Sequence, residues 1–122
     1  MSNILDEHGA ELIRYISPKR NGLISCMEDG SVFLKTPWED WKCISENRID
    51  FDLSAFRENV ARMKQRYETH KPWKLQSDIP DNNTLSHWCL DGVCETVDGQ
   101  SIEPDGTASN GSPSWLIALG LI

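Results

Sequence analysis

Residues 52–70, "DLSAFRENVARMKQRYETH", hold the clearest structural signal in the chain. Apolar side chains recur along this stretch at steps of three and four, which is the spacing of one face of an α-helix. Asp52 or Ser54 can cap the start of that helix, and Pro72 prevents it from continuing further. A helix with one apolar face needs a surface to cover, so a sheet beneath it is expected. The members of the apolar stripe are Leu53, Phe56, Val60, Met63 and Tyr67.

The residues before this helix predict antiparallel strands. Residues 23–27 and 31–36 are short runs rich in apolar and β-branched side chains. Residues 28–30 between them are suited to a hairpin turn in which Gly30 takes the left-handed conformation. Residues 37–44 predict either a helical turn with Pro37 at its first position or a further strand.

Both ends of the chain predict short helices. Residues 4–16 place apolar side chains at roughly helical spacing and carry acids in their early turns, where the helix dipole favours negative charge. Near the other end, Ser112 can cap a helix that starts with Pro113. The apolar residues of this last helix are expected in the core: Trp115, Leu116, Leu119 and Ile122.

Asp-Gly pairs punctuate the C-terminal half of the chain. Residues 91–92 and 98–99 are such pairs, and they separate three short runs with strand composition, residues 85–90, 93–97 and 100–102. Because Asp-Gly favours tight hairpin turns, this pattern predicts a β-meander.

The chain of 122 residues is long enough to bury a hydrophobic core without disulfides, and its 39% hydrophobic content favours a folded protein. The predicted fold is a single α+β domain with antiparallel hairpins, one long amphipathic helix packed on the sheet and short N- and C-terminal helices. Residues 1–74 supply the first hairpin and the long helix, and residues 75–122 supply the acidic meander. No run approaches the ~18 apolar residues of a membrane span, and the N-terminal residues do not have the pattern of a signal peptide. The expected location is the cytoplasm.

The net charge of −7 is concentrated in the last part of the chain. Residues 1–51 hold nine acids and six bases, and residues 52–74 hold three acids and six bases, so their charges of −3 and +3 cancel. Residues 75–122 hold seven acids and no Lys or Arg, which accounts for the whole −7. A surface of this kind attracts Lys- and Arg-rich partners and repels phosphates, so direct binding of nucleic acid is not expected.

The four cysteines leave three alternatives open. If residues 91–92 form a two-residue turn, Cys89 lies opposite Cys94 on one face of a hairpin. The pair can then be free buried thiols, a cross-strand disulfide, or half of a zinc site. Free thiols are favoured for a cytoplasmic protein, and no metal or cofactor is expected, because the spacing matches no usual zinc pattern. The further ligands open to a zinc site are Cys26, Cys43 and His87.

The sequence does not predict an enzyme. His87 and Cys89 would be roughly 7 Å apart in a strand, which is too far for a direct hydrogen bond. Asp before Gly is explained by turn formation more simply than by paired catalytic carboxylates. A glycine-rich phosphate loop, a nucleophile elbow and a His-Glu-x-x-His pattern are all absent from the sequence. A small hydrolase that uses His87 is a third alternative, for which no substrate is indicated.

The C-terminal residues 103–122, "EPDGTASNGSPSWLIALGLI", resemble the ends of short uncharacterised proteins from phages, plasmids and other bacterial mobile elements. In size, acidity and lack of a catalytic motif, the whole chain is similar to anti-CRISPR and related anti-defence inhibitors. Proteins with this ending can carry Cys or His where Thr107, Ala108, Ser109 and Asn110 stand. The resemblance therefore implies that this chain has lost any metal site that those proteins hold there, and that it acts inside a bacterial host cell.

Together these observations predict a non-enzymatic protein that binds a macromolecular partner with a basic surface, such as a CRISPR-Cas or other defence nucleoprotein complex. The carboxylates would contact basic groups of the partner, and exposed tryptophan would supply an apolar anchor. The alternative is a small zinc-stabilised structural or interaction domain with cysteine ligands. No membrane contact is expected. The predicted partner-binding residues are Asp91, Glu95, Asp98, Glu103, Asp105, Trp38 and Trp88.

Overall fold

An antiparallel sheet forms the middle layer of the protein. The computed structural model describes residues 8–45, 52–76 and 78–122. Within these residues the sheet has four strands in the order β1-β2-β3-β4, so each strand pairs with its neighbour in the chain. The strands are β1 (Glu11–Ser17), β2 (Gly22–Met27), β3 (Val32–Lys35) and β4 (Lys42–Ser45). The hairpin predicted for residues 23–36 is confirmed, and Gly30 in its turn has φ +90°.

Strand β2 is buried along its whole length. Its side chains alternate between the two faces of the sheet: Leu23 and Met27 belong to one hydrophobic cluster, and Ile24 and Cys26 to another. A strand covered on both faces has a continuous apolar run instead of an alternating one. The sequence of β2 therefore reflects a sheet with a layer packed on each side.

Helix α1 (Leu53–His70) covers the face that carries Ile24 and Cys26. It packs through buried Val60, with the half-buried Phe56, Met63 and Tyr67 beside it, so the predicted stripe and its role are confirmed. The helix begins where Asp52 accepts a hydrogen bond from the Ala55 backbone N–H at 3.1 Å. It is followed by a single 3₁₀ turn, Pro72–Lys74.

The C-terminal half covers the opposite face of the sheet. It contains α2 (Asn82–Asp91), a two-stranded sheet of β5 (Cys94–Glu95) and β6 (Ser101–Ile102), and α3 (Trp115–Ala118). Leu85, Cys94 and Leu119 of this half are buried against Leu23 and Phe33 of the central sheet. Helix α1 and most of the acidic segment 75–122 thus lie on opposite faces of the sheet, whereas Trp73, between them, packs on the same side as α2 and α3. The α+β class predicted from the sequence is confirmed.

The helix predicted for residues 4–16 is wrong in the part of this range that the structure describes. Residues 11–17 form β1, and residues 1–7 lie outside the described part of the chain. Ile13 and Ile16, three residues apart, pack on opposite faces of the sheet, and the register shifts between Glu11 and Ile13. In this strand, which is buried on both faces, the spacing of the apolar residues is therefore the same as on one face of a helix.

The strand predicted for residues 85–90 is also wrong, because these residues belong to α2. Asp81 caps this helix by accepting a hydrogen bond from the Thr84 backbone N–H at 2.8 Å. Gly92, at φ +69°, ends it in the left-handed conformation. The pair at residues 91–92 is thus a helix end and not a hairpin turn. The pair at residues 98–99 does form the predicted hairpin, since β5 and β6 pair on either side of it.

The last helix starts two residues later than expected. Ser114, and not Ser112, is its cap, and it accepts a hydrogen bond from the Ile117 backbone N–H at 3.2 Å. Trp115, Leu116 and Leu119 are buried as predicted. Ile122 is 61% exposed, so its predicted place in the core is wrong. Of the two alternatives for residues 37–44, the structure shows a strand, limited to the residues of β4.

Candidate partner-binding surface

Trp38 is exposed beside the start of α2, with 55% of its surface accessible. Its indole Nε1 donates a hydrogen bond to Asn82 Oδ1 at 3.0 Å, and the Asn82 backbone N–H donates to the Pro37 carbonyl at 3.2 Å. Thr36 Oγ1 accepts hydrogen bonds from the backbone N–H groups of Trp38 and Glu39 at 3.3 and 3.1 Å. The loop before β4 is therefore fixed to α2, and the indole is held in place while its ring faces solvent.

Four acidic residues line the same surface groove as this indole. They line, together with Trp38, a groove that we call the Trp38 groove, formed by residues 35–40 and 78–81. Asp81 belongs to the cap of α2, and the hydrogen bond from the Thr84 backbone holds the pKa of its carboxyl below the usual value. Lys35 is the one base in this lining, and its Nζ lies 3.4 Å from Asp78 Oδ1. The carboxylates are those of Glu39, Asp40, Asp78 and Asp81.

All five acids predicted to bind a partner are exposed, and four of them accept no side-chain hydrogen bond from the described residues. The four lie at the end of α2, in β5, and in the turn after β6, where the Gly106 backbone N–H donates to the Glu103 carbonyl. None of the ion pairs found among the described residues includes them. Their side chains are therefore available to basic groups of a partner. These four acids are Asp91, Glu95, Glu103 and Asp105.

Asp98 differs from these four acids, because its carboxylate accepts hydrogen bonds from other side chains of the protein. It accepts hydrogen bonds from Thr96 Oγ1, from Asn110 Nδ2 at 2.8 Å and from Ser112 Oγ at 2.9 Å. Gln100 Nε2 donates to it as well, at 3.0 Å. These donors, Thr96 first and Asn110 next, hold the pKa of Asp98 well below its usual range. Asp98 thus ties the β5-β6 hairpin to residues 110–112, a role that its Asp-Gly context did not indicate.

Trp88 is half-buried on α2 and packs against the central cluster. His87 and Cys89 are exposed on the same helix, whereas Cys94 is buried in β5. The predicted arrangement of Cys89 opposite Cys94 on a hairpin is therefore wrong. All four cysteines are free thiols, and burial raises the pKa of Cys94.

Metal ligands are not assembled in the described part of the chain. No group of three or more His, Cys, Asp or Glu side chains is placed there to hold a metal ion. Cys26 is buried on one face of the central sheet, while Cys94 belongs to the cluster on the other face. The cysteines named as zinc ligands are thus not brought to one point.

His8 forms a cluster with Asp29 and Ser31 at the turn between β2 and β3, where the sequence had suggested only a helix residue. His8 Nδ1 lies 2.7 Å from Asp29 Oδ2 and 3.2 Å from Ser31 Oγ. A catalytic Ser-His-Asp triad uses both ring nitrogens, one toward the carboxylate and one toward the serine. Here both contacts are made by the same nitrogen, so the cluster fixes the turn and does not activate Ser31.

No protein-family model matches the chain, and no curated protein or solved structure is significantly similar to it. Within residues 8–45, 52–76 and 78–122, no helix is long and apolar enough to cross a membrane.

Proposed function

We propose that the protein is a non-enzymatic inhibitor that docks its acidic face on the basic, nucleic-acid-binding surface of a macromolecular partner. The observation that carries the proposal is the Trp38 groove, which an exposed, fixed indole lines together with four acidic residues. Exposed tryptophan is the side chain most often found to dominate binding energy at interfaces, and carboxylates complement Lys and Arg.

The indole and the carboxylates would contribute in different ways. The ring supplies apolar area and a π-face on which an Arg or Lys of the partner can stack. The carboxylates steer a basic surface toward it and raise the association rate, an effect that salt weakens. Because hydrogen bonds to Asn82 and Thr36 already fix the loop, little conformational freedom is lost on binding.

The distribution of charge over the molecule supports one orientation of the complex. Helix α1, with four bases and two acids, covers one face of the sheet, and most of the base-free segment 75–122 covers the other. A basic partner is attracted to the second face and repelled by the first. The unpaired acids Asp91, Glu95, Glu103 and Asp105 add to that field.

The partner class follows from the acidity together with the resemblance of the chain to anti-defence inhibitors. A surface rich in carboxylates competes with nucleic acid for a channel lined by Lys and Arg. We therefore propose a CRISPR-Cas or other defence nucleoprotein complex as the partner, in the cytoplasm of a bacterial host.

A binding experiment with matched charge reversals tests this proposal. Tagged protein is incubated with a lysate that contains defence complexes, washed at low and at high salt, and the bound protein is identified by mass spectrometry. Association rates of the purified partner are then measured for Asp78→Lys and for Glu68→Lys, an equal charge change on the exposed side of α1. We expect Asp78→Lys to slow association about tenfold at low salt and Glu68→Lys to have a much smaller effect.

Trp38→Ala provides the second measurement. We expect it to speed dissociation, because the indole would be desolvated in the complex. Equal effects of the two charge reversals, together with unchanged dissociation of Trp38→Ala, would show that the groove is not the binding surface. A lysate that yields no nucleic-acid-binding protein would contradict the proposed partner class.

A further inference from the structure

A small pocket of about 160 Å³ lies where three segments of the chain meet. Pro18 comes from the turn after β1, and Trp73 and Lys74 come from the 3₁₀ turn after α1. Ile117 and Ala118 are the last two residues of α3. The lining is almost entirely apolar. None of these residues belongs to the Trp38 groove.

Hydrogen bonds within these segments, and one between two of them, support the walls of the pocket. Asn21 Nδ2 donates to the Leu119 carbonyl at 2.6 Å and to the Pro18 carbonyl at 3.2 Å, which joins the β1-β2 turn to the end of α3. Gln76 Nε2 donates to the Trp73 carbonyl at 2.8 Å, and the Trp73 ring packs against the central cluster. Binding sites for small molecules are usually preformed in this way.

The size of the pocket sets the size of its ligand. Apolar cavities of about 150 Å³ in proteins accept one benzene molecule. The pocket bounded by Trp73 and Ile117 is therefore large enough for one phenyl ring or one branched aliphatic group, and too small for a fused ring system with substituents.

The surroundings of the pocket are basic, although the chain as a whole carries −7. Residues 17–22 and 69–76, which supply two of its walls, contain four Lys or Arg residues and no acid. Lys74 lines the pocket and takes part in none of the ion pairs found among the described residues. Its Nζ lies 5.7 Å from the centre of the Tyr67 ring, and burial, followed by the charge of Lys71, lowers its pKa. Within the described part of the chain, no carboxylate therefore lies at ion-pair distance from the Lys74 ammonium.

We propose that this pocket binds a small aryl carboxylate, whose ring enters between Trp73 and Ile117 and whose carboxylate pairs with the Lys74 ammonium. The proposal does not depend on the partner-binding function, since the residues concerned differ. It assigns a ligand-binding role to the corner formed by the β1-β2 turn, the 3₁₀ turn and α3.

Two probes of the same shape test the proposal by NMR. Phenylacetate carries the charge, and phenylacetamide replaces it with a neutral amide. We expect saturable chemical-shift changes at the Trp73 indole N–H and the Ala118 methyl group with both probes. Phenylacetamide should bind about two- to fivefold more weakly, which corresponds to one partly exposed ion pair.

Two substitutions with matched controls separate this pocket from other surfaces. Lys74→Met should weaken the binding of phenylacetate to the level of phenylacetamide. Lys64→Met, in a groove beside β1, should leave the affinity for phenylacetate unchanged. Ala118→Leu should abolish binding of both probes by filling the pocket, while Ala61→Leu on the exposed side of α1 should not. If Ala118→Leu fails to fold, Lys74→Met decides the question. Absence of saturable shifts at Trp73, or equal binding of phenylacetate to wild type and Lys74→Met, would overturn the proposal.

Discussion

Replacement of Asp98 by alanine tests the role that the structure gives to this carboxylate. Asp98 is the common acceptor for four side chains, which connect the β5-β6 hairpin with residues 110–112. Two of the donors, Thr96 and Ser112, are 0% and 1% exposed. In Asp98→Ala their hydroxyl groups lose this acceptor.

The size of the effect follows from the burial of these donors. A buried hydroxyl left without its partner costs about 1–3 kcal/mol. The two other donors, Asn110 and Gln100, are exposed and can bind water, so they add little. Because the position of Asp98 is exposed and water can partly replace the carboxylate, we expect Asp98→Ala to lower the free energy of unfolding by about 2–4 kcal/mol, the lower part of the sum for two hydroxyls. The control, Glu103→Ala, removes an exposed carboxylate that forms no ion pair among the described residues, and should change it by less than about 0.5 kcal/mol.

The loss should also depend on pH. The pKa of Asp98 is held below its usual value in the folded protein, whereas in the unfolded chain it is about 3.9. The unfolded chain therefore takes up this proton first as the pH falls. The stability contributed by Asp98 is complete above about pH 4 and is lost progressively as the pH falls below that value toward the folded-state pKa.

Urea denaturation at about pH 6 and about pH 3 measures both effects. We expect the difference in stability between wild type and Asp98→Ala to narrow at the lower pH, as the linkage requires. Equal stability of Asp98→Ala and Glu103→Ala at the higher pH would refute the assignment of Asp98 as a structural acceptor. A stability difference between wild type and Asp98→Ala that is the same at both pH values would show that the charge of Asp98 is not involved.

Three further predictions concern the rest of the fold. Asp52→Ala should lower the free energy of unfolding by about 1 kcal/mol through loss of the α1 cap, whereas Ser54→Ala, at the other candidate cap, should change it by less than about 0.5 kcal/mol in the same denaturation assay. Phe33→Ala should cost about 3–5 kcal/mol, since this ring is 0% exposed, and unchanged stability would contradict its place in the core. In the folded protein at neutral pH, Cys89 should react with a disulfide reagent well before Cys26, whose pKa burial raises to about 11; mass spectrometry of the labelled peptides would show the order.

The elements that were predicted correctly have local sequence signals and pack against one layer only. Helix α1 packs on the sheet through one stripe only, so Val60 was identified from its spacing, and the cap, which lies next to the helix in the sequence, was narrowed to Asp52 or Ser54. Strand β1 was not, because Ile13 and Ile16 contact different layers and their spacing of three is then shared by a helix and a strand. Helix α2 was missed although Asp81 and Gly92 are good capping residues, because Asp-Gly was interpreted as a hairpin turn.

The candidate site was predicted in composition but not in arrangement. The lack of bases after Lys74 indicated an acidic surface, and Trp38 was named as an anchor. The Trp38 indole donates its hydrogen bond to Asn82, 44 residues along the chain, and Asp98 accepts hydrogen bonds from Asn110 and Ser112, 12 and 14 residues away. Contacts at such separations leave no periodic pattern in a sequence, so neither role could be read from it.

Because the central sheet is covered on both faces, the order in which the chain is synthesised affects how it folds. Strands β1 to β4 can pair and α1 can cover one face as soon as residue 70 has left the ribosome. The other face, with Leu23 and Phe33, begins to be covered when Leu85 and Cys94 are synthesised and is fully covered only when Leu119 has followed. A nascent chain that pauses between these points displays an apolar sheet surface of the kind that chaperones bind and that aggregates. We therefore expect the yield of folded protein to depend on how fast the C-terminal segment is translated, and a chaperone to be most needed during that interval.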